Sequence, residues 1–437
     1  MAAMDDEAGA LLARLMGWAR AKTNQSGFSR LVGRELSGVP DDLLAGLDAL
    51  VSADLLATVG RLWEHGWQPR DLLHVAGRLD TWSSALAADV ALEQVRRSPR
   101  AGLAPPAWRE QLDAAADQAR AADLGRWPTG GDWRAVDRLV AAGVPSLSAW
   151  AGALRLLVRL GELPPLTRTL PPPSAWRTDP TPTTTSGTPP PGTPPPGTPP
   201  PRTTGSPPGP GPSRDKVLGT IRALLAKAES TEFAAEAEAL SGKAQAMMTR
   251  HAIDEALLHA GDLDDVEVVS HRVLIDSPYP AEKVHLLSAV GRANRTRVVW
   301  ADELAMATVV GTPVDVDQVE LLFVSLLIQS TRAMAEAGTA DPGSFDRSPR
   351  FRRAFLTAYA VRIGERLNVA DAETTAAYGS ELVPVLRRQE EAVAATYERL
   401  FPHTREMSST RSYDRQGWEA GRRAADRASF VAGRLTG

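Results

Sequence analysis

One helical stripe carries the first chemical signal in the chain. In SPRFRRAFLTAYAVRIGERLNVA (348–370), turning about 100° per residue from Phe351 brings Phe351, Phe355, Tyr359, Arg362 and Arg366 onto one face. Two guanidinium groups on an aromatic seam fit two arrangements. The aromatic half is buried while the arginines reach the rim and pair with acids, or the arginines grip a phosphate or carboxylate. Arg347, Arg350, Arg352 and Arg353 lie at the start of this helix and add positive potential. The anion-binding candidates are therefore Arg352, Arg353, Arg362 and Arg366.

Other reactive side chains assemble less well. The chain has no cysteine, which excludes disulfides, thiolate nucleophiles and cysteine-ligated zinc. In HAIDEALLH, His251 and His259 are too far apart along a helix to share one metal, and the two-histidine spacing of a zinc helix is missing. His271 and His285 are placed to approach each other across a strand and a helix, but single titrating or core histidines are the plainer reading. Gly311 stands between a strand and a helix, where free N–H groups bind anions; Asp315 and Asp317 in that first turn oppose a phosphate. GxGxxG, GxxxxGK[ST] and GxSxG are absent. No catalytic residue is assigned, and neither a metal nor a cofactor is expected.

Residues 214–253, RDKVLGTIRALLAKAESTEFAAEAEALSGKAQAMMTRHAI, read as two amphipathic helices and a polar turn. Val217, Ile221, Leu224, Leu225 and Ala228 stripe the first helix; Ala239, Leu240, Ala244, Met247 and Met248 stripe the second. Glu236, Lys243 and Met247 project from one side of the second, and Thr231 is placed to cap it. This stretch resembles the DUF2786 family, a domain of unknown function. The polar positions that match the family pattern are Lys227, Glu229, Ser230 and Thr231, then Glu236, Lys243, Gln245 and His251. Weaker likenesses run through LWEHGWQPRDLLHVAGRL, VVGTPVDV, FRRAFLTAYA and the tail YDRQGWEAGRRAADR. The resemblance implies an intracellular protein of the kind found in bacteria and phages, and transfers no catalytic residue.

These candidates depend on the elements around them. The 437 residues are 43% hydrophobic, enough for real cores, and their net charge of −4 is unevenly spread. Residues 1–212 are balanced, residues 213–344 carry 12 basic against 20 acidic side chains, and residues 345–437 carry 16 against 12. Such blocks suit packing on each other better than one continuous nucleic-acid face. Residues 1–163 read as an all-helical domain, with helix starts at Pro40 and Pro69. Trp63 and Trp67 there read as core, with a partner-docking surface as the alternative. Residues 164–212 hold 20 of the 34 prolines and read as a disordered, semi-stiff Pro/Gly/Thr-rich linker. The hairpin is placed at 213–253 and a small α+β domain at 254–437. In that domain, strands are expected at 266–275 and, with a turn near Ala301–Glu303, within 296–311. Helices are expected at 280–295, 314–338 and 348–370. Residues 381–387 read as a short strand, followed by helices at 388–400 and 413–430, where Trp418, Gly421 and Ala425 are spaced for close packing. The fold class is therefore α+β.

The early acidic residues do not suit a signal peptide and no long apolar run suggests a membrane span, so a cytoplasmic protein is expected. The leading functional reading is a non-enzymatic interaction protein with a protein partner, its two folded bodies given independent reach by the linker. A nucleic-acid-associated protein using the C-terminal arginine-rich helices is the alternative, and a cryptic hydrolase the third.

Overall fold

The computed structural model describes residues 2–21, 25–123, 132–177, 266–337, 348–378, 383–405 and 414–428, and of the hairpin 217, 219–224, 227, 243 and 247–252. The chain divides into two compact units, Met1–Pro190 and Pro191–Gly437. It is mostly helical, with one small antiparallel sheet.

The first unit is helical throughout its described residues: α1 Ala2–Arg20, α2 Gln25–Leu36, α3 Asp41–Glu64, α4 Pro69–Gly77, α5 Thr81–Arg97, α6 Pro106–Ala121, α7 Ala135–Ala141 and α8 Ser146–Gly161. Local chemistry sets the starts. Asp41 and Asp42 follow Pro40 into the first turn of α3. Gln68 and Asp71 form a reciprocal cap on α4, with Pro69 at the first helical position. Asp80 accepts the Ser83 N–H at 2.7 Å to cap α5. By length and composition α3 is apolar enough to cross a membrane. Its environment is that of a core helix: Leu47, Val51, Leu55 and Val59 are fully buried. Mid-helix Asp48 accepts N–H bonds from Val136 and Asp137 at the start of α7, both at 3.1 Å.

Both expected tryptophans are core residues. Trp63 and Trp67 straddle the turn at Gly66, whose φ of 85° is left-handed. Trp63 meets Trp108 edge-on at 5.3 Å, and Trp108 meets Trp176 at the same distance. That last contact moves a boundary. Residues 164–177, expected as the start of the linker, pack onto this unit. Leu166 donates its N–H to the His65 carbonyl at 2.8 Å, the Trp67 indole donates to the Pro164 carbonyl at 2.9 Å, and Trp176 is buried. Composition signalled a proline spacer, but one aromatic anchor outweighed it. The Pro-rich repeat beyond Arg177 lies outside the described residues.

The second unit holds a three-stranded antiparallel sheet whose third strand in sequence lies at the centre. The strands are β1 Val269–Leu274, β2 Arg297–Ala301 and β3 Met306–Gly311. The remaining helices are α9 Pro280–Ala293, α10 Pro313–Ala337, α11 Pro349–Tyr378, α12 Val383–Leu400 and α13 Arg415–Arg427. Strands and helices fall where the alternating and helical patterns put them, with one exception. The strand expected at 381–387 is helical from Val383 onward, because Pro384 occupies the first turn, where its missing N–H is tolerated.

One core joins these elements. Val273, Ala307 and Val309 from the sheet meet Leu287 and Val290 of α9, Val319 and Leu326 of α10, and Phe355, Tyr359 and Ile363 of α11. Hairpin residues Val217, Ile221 and Met248 belong to the same core, and Gln318 of α10 donates to the Met248 carbonyl at 2.8 Å. The described part of the hairpin is thus integral to this unit. Helix α13 lies tightly along α11, with Gly417 and Gly421 at the contact.

Candidate anion-binding cleft

The arginine stripe folds as the spacing requires, but its charges are used internally. Phe351, Phe355 and Tyr359 are buried, and the Phe355 and Tyr359 rings stack at 6.3 Å. Arg362 donates to Asp426 at 2.5 Å and to Glu365 at 2.8 Å. Glu365 also receives both guanidinium nitrogens of Arg422, at 3.2 and 3.1 Å, and its carboxyl is held below the ordinary range, first by Arg422 and then by Arg362. Arg366 donates to the carbonyls of Ala425 and, at 2.7 Å, Ala428, at the C-terminal end of α13, where the last carbonyls have acceptor capacity to spare. Arg353 lies 3.8 Å from Glu282 of α9. Arg352 is half-buried nearby. The four do not form one site: Arg362 and Arg366 latch α13 to α11, and Arg353 faces α9.

The hairpin candidates also separate. Lys227 and Lys243 are exposed. His251 is half-buried, with its Nε2 enclosed and no hydrogen-bond partner among the described residues. Glu229 and Glu236 lie outside the described residues. His271 and His285 do not meet either. His271 Nε2 stands 3.3 Å from Glu320, and His285 faces a different space. Among the described residues no group of three His, Asp or Glu side chains is placed to hold a metal.

That space is a cleft of about 800 Å³ in the second unit, along the edge strand β2 and beside α9 and the end of α12. Helix α9 contributes His285, Ser288 and Arg292; β2 contributes Arg297 and Trp300; α12 and the turn after it contribute Tyr397, His403 and Arg405. Among the described residues no carboxylate lines it. Arg292, Arg297 and Arg405 are exposed and make no ion pair among the described residues, unlike the arginines of the α11–α13 seam. β2 is an edge strand, so alternate backbone N–H groups also face outward there. The Trp300 indole N–H donates to Asp302 at 3.3 Å, and the Tyr397 hydroxyl to Thr404 at 3.3 Å. These bonds orient both rings on the cleft walls.

His285 is sensitive to this setting. Burial pushes its pKa below the ordinary 6.5; Glu282 opposes the shift and Arg292 reinforces it. Other ionisable groups around the cleft are Arg297 on β2 and His403 and Arg405 beyond α12. The unfolded chain therefore takes up a proton at His285 at a higher pH than the folded one does. Stability falls as pH drops through 6.5 towards the lower folded value. Chemical denaturation at about pH 7.5 and about pH 5.5 is expected to show wild type losing more stability than His285→Gln over that interval. Equal losses would contradict the shift.

Part of the cleft had a legible signal. His285, Ser288 and Arg292 recur at steps of three and four, one face of a helix. Arg297 and Trp300 follow on the next strand. Nothing local joins them to Tyr397 or Arg405, about a hundred positions further along the chain; the fold does that.

Comparison with known proteins agrees with the hairpin resemblance. Residues 216–255 match the family model described as Protein of unknown function (DUF2786), so this is a DUF2786-containing protein. No curated protein and no solved structure matches the chain. The match covers the hairpin, while the cleft lies outside it, on the α+β framework that shares the hairpin's core.

Proposed function

We propose that the protein is a non-enzymatic binding protein whose second unit takes a phosphate-bearing partner in the α9–β2–α12 cleft. One observation carries this reading. The cleft gathers three arginines that lack ion pairs among the described residues, with no carboxylate on its described walls, whereas Arg362, Arg366 and Arg422 are neutralised by acids or helix-end carbonyls. Guanidinium groups converging on a concave surface favour a multiply charged oxyanion. The nucleic-acid alternative gains support here, through residues other than those the sequence singled out. On this reading the helical first unit is the second binding body, separated by the proline-rich sequence, and the protein works in the cytoplasm.

The test uses the full chain and inorganic tripolyphosphate, followed by titration calorimetry at low salt. Wild type is expected to bind. Arg292→Glu combined with Arg405→Glu is expected to weaken binding by about tenfold or more, with an unchanged unfolding midpoint, since both side chains are exposed. Affinity unchanged by the double reversal would remove the cleft as the site.

A further inference from the structure

The cleft pairs its cations with aromatic walls, and this narrows the partner. A site for bare phosphate needs donors and positive charge only. Here Trp300 comes from the edge strand and Tyr397 from α12, two elements converging on one cavity. Trp300 is half-buried, packed on the core on one side and lining the cleft on the other, and its indole N–H is held by Asp302, which fixes the ring at the wall. The Tyr397 ring leans on Phe401 at 6.0 Å and 47° and is fixed at its hydroxyl by Thr404. Two oriented rings and three arginines within about 800 Å³ suit a planar, π-faced group attached to phosphate. Sites of roughly 300–1,000 Å³ accept whole small ligands.

We infer that the cleft binds nucleotides of a single-stranded nucleic acid, with a base stacked on Trp300 and the neighbouring phosphates on Arg292, Arg297 and Arg405. Stacking platforms beside a cationic track are how single strands are held without sequence readout, because every base presents a π-face. A duplex hides those faces, so it is disfavoured. Among the described residues β2 is an edge strand, along which a chain longer than one nucleotide can run past the cavity. This inference rests on the anion reading above and adds the base to it.

The experiment measures binding of fluorescent deca-thymidylate to the full chain by anisotropy, with thymidine triphosphate and inorganic tripolyphosphate as competitors. Three proteins are compared: wild type, Trp300→Ala and Trp300→Phe. Expected is a loss of about tenfold in oligonucleotide affinity for Trp300→Ala, with tripolyphosphate affinity held within about twofold and most oligonucleotide binding restored by Trp300→Phe. Thymidine triphosphate competing no better than tripolyphosphate would overturn the base contact, and triphosphate outcompeting the oligonucleotide would overturn the strand. Oligonucleotide affinity indifferent to Trp300→Ala, or tripolyphosphate affinity lost in parallel, would overturn the stacking role while leaving the anion site standing. Failure of tripolyphosphate itself to bind would remove both readings at once.

Discussion

Replacing Gly421 with alanine is expected to destabilise the second unit by about 3 kcal/mol. A β-carbon at this position would lie 2.2 Å from the Phe355 carbonyl oxygen and 3.0 Å from its Cα. Those atoms are backbone of α11, whose neighbouring side chains are fully buried, so no flexible group is present to yield. The sign separates this account from simple propensity. In a helix whose face is open, glycine to alanine stabilises by about 1 kcal/mol, and α13 is an otherwise regular helix capped at Asp414. Gly417 repeats the arrangement one turn earlier, 2.5 Å from the Phe351 carbonyl oxygen. The two glycines let α13 come close enough for Arg366 to reach its last carbonyls and for Glu365 to meet Arg422. Urea denaturation of Gly421→Ala should therefore show a lowered midpoint, and a raised one would mean that the helices are not in this contact.

Asp315→Ala is expected to cost about 3 to 5 kcal/mol. Asp315 is 1% exposed and accepts from Arg295 at 3.0 Å and from the Thr312 hydroxyl at 2.8 Å. Arg295 is itself enclosed, with Asp371 as its other partner at 3.1 Å. Burial works against the guanidinium charge, but Asp315 and Asp371 outweigh it, so its pKa is raised. Truncating Asp315 strands a buried charge with half its compensation. It also removes the acceptor that fixes the capping hydroxyl at the start of α10, since Thr312 Oγ1 donates to the Asp315 carboxylate while accepting the Asp315 backbone N–H at 3.3 Å. A control isolates the charge: Asp315→Leu with Arg295→Met should recover most of the loss, because an apolar pair of similar volume carries no desolvation penalty. Equal instability in single and double variants, measured by denaturant midpoint, would assign the effect to the cap alone.

Asp315 also shows where sequence reading stops. Its place in the first turn after Gly311 and Thr312 is legible, and so is its hostility to a phosphate there. Its partner Arg295 is not, because the residue sits in a left-handed turn with φ 56°, a conformation for which arginine carries no signal. Periodicity was informative where one face is buried. The patterns in 266–275 and 296–311 held strands, and the apolar run after Pro313 became the 25-residue helix α10. It misled at 383–387, where valines on either side of a proline look like strand but begin a helix. The arginine stripe on α11 was correct as geometry. Its chemistry was decided by α13, a neighbour whose docking rests on two glycines. The cleft was half-visible as a polar face on α9, and its other wall arrives from α12 only after the chain has folded.

The most direct test of the central claim is the salt dependence of tripolyphosphate binding to the full chain, for wild type and for Arg292→Gln, Arg297→Gln and Arg405→Gln singly and together. Screening weakens contacts between exposed charges. Each single neutralisation should flatten the fall of log affinity with log salt, and the triple variant should abolish measurable binding at physiological ionic strength. A triple variant that binds as wild type does, with the same salt slope, would contradict the assignment of these arginines to an anion site.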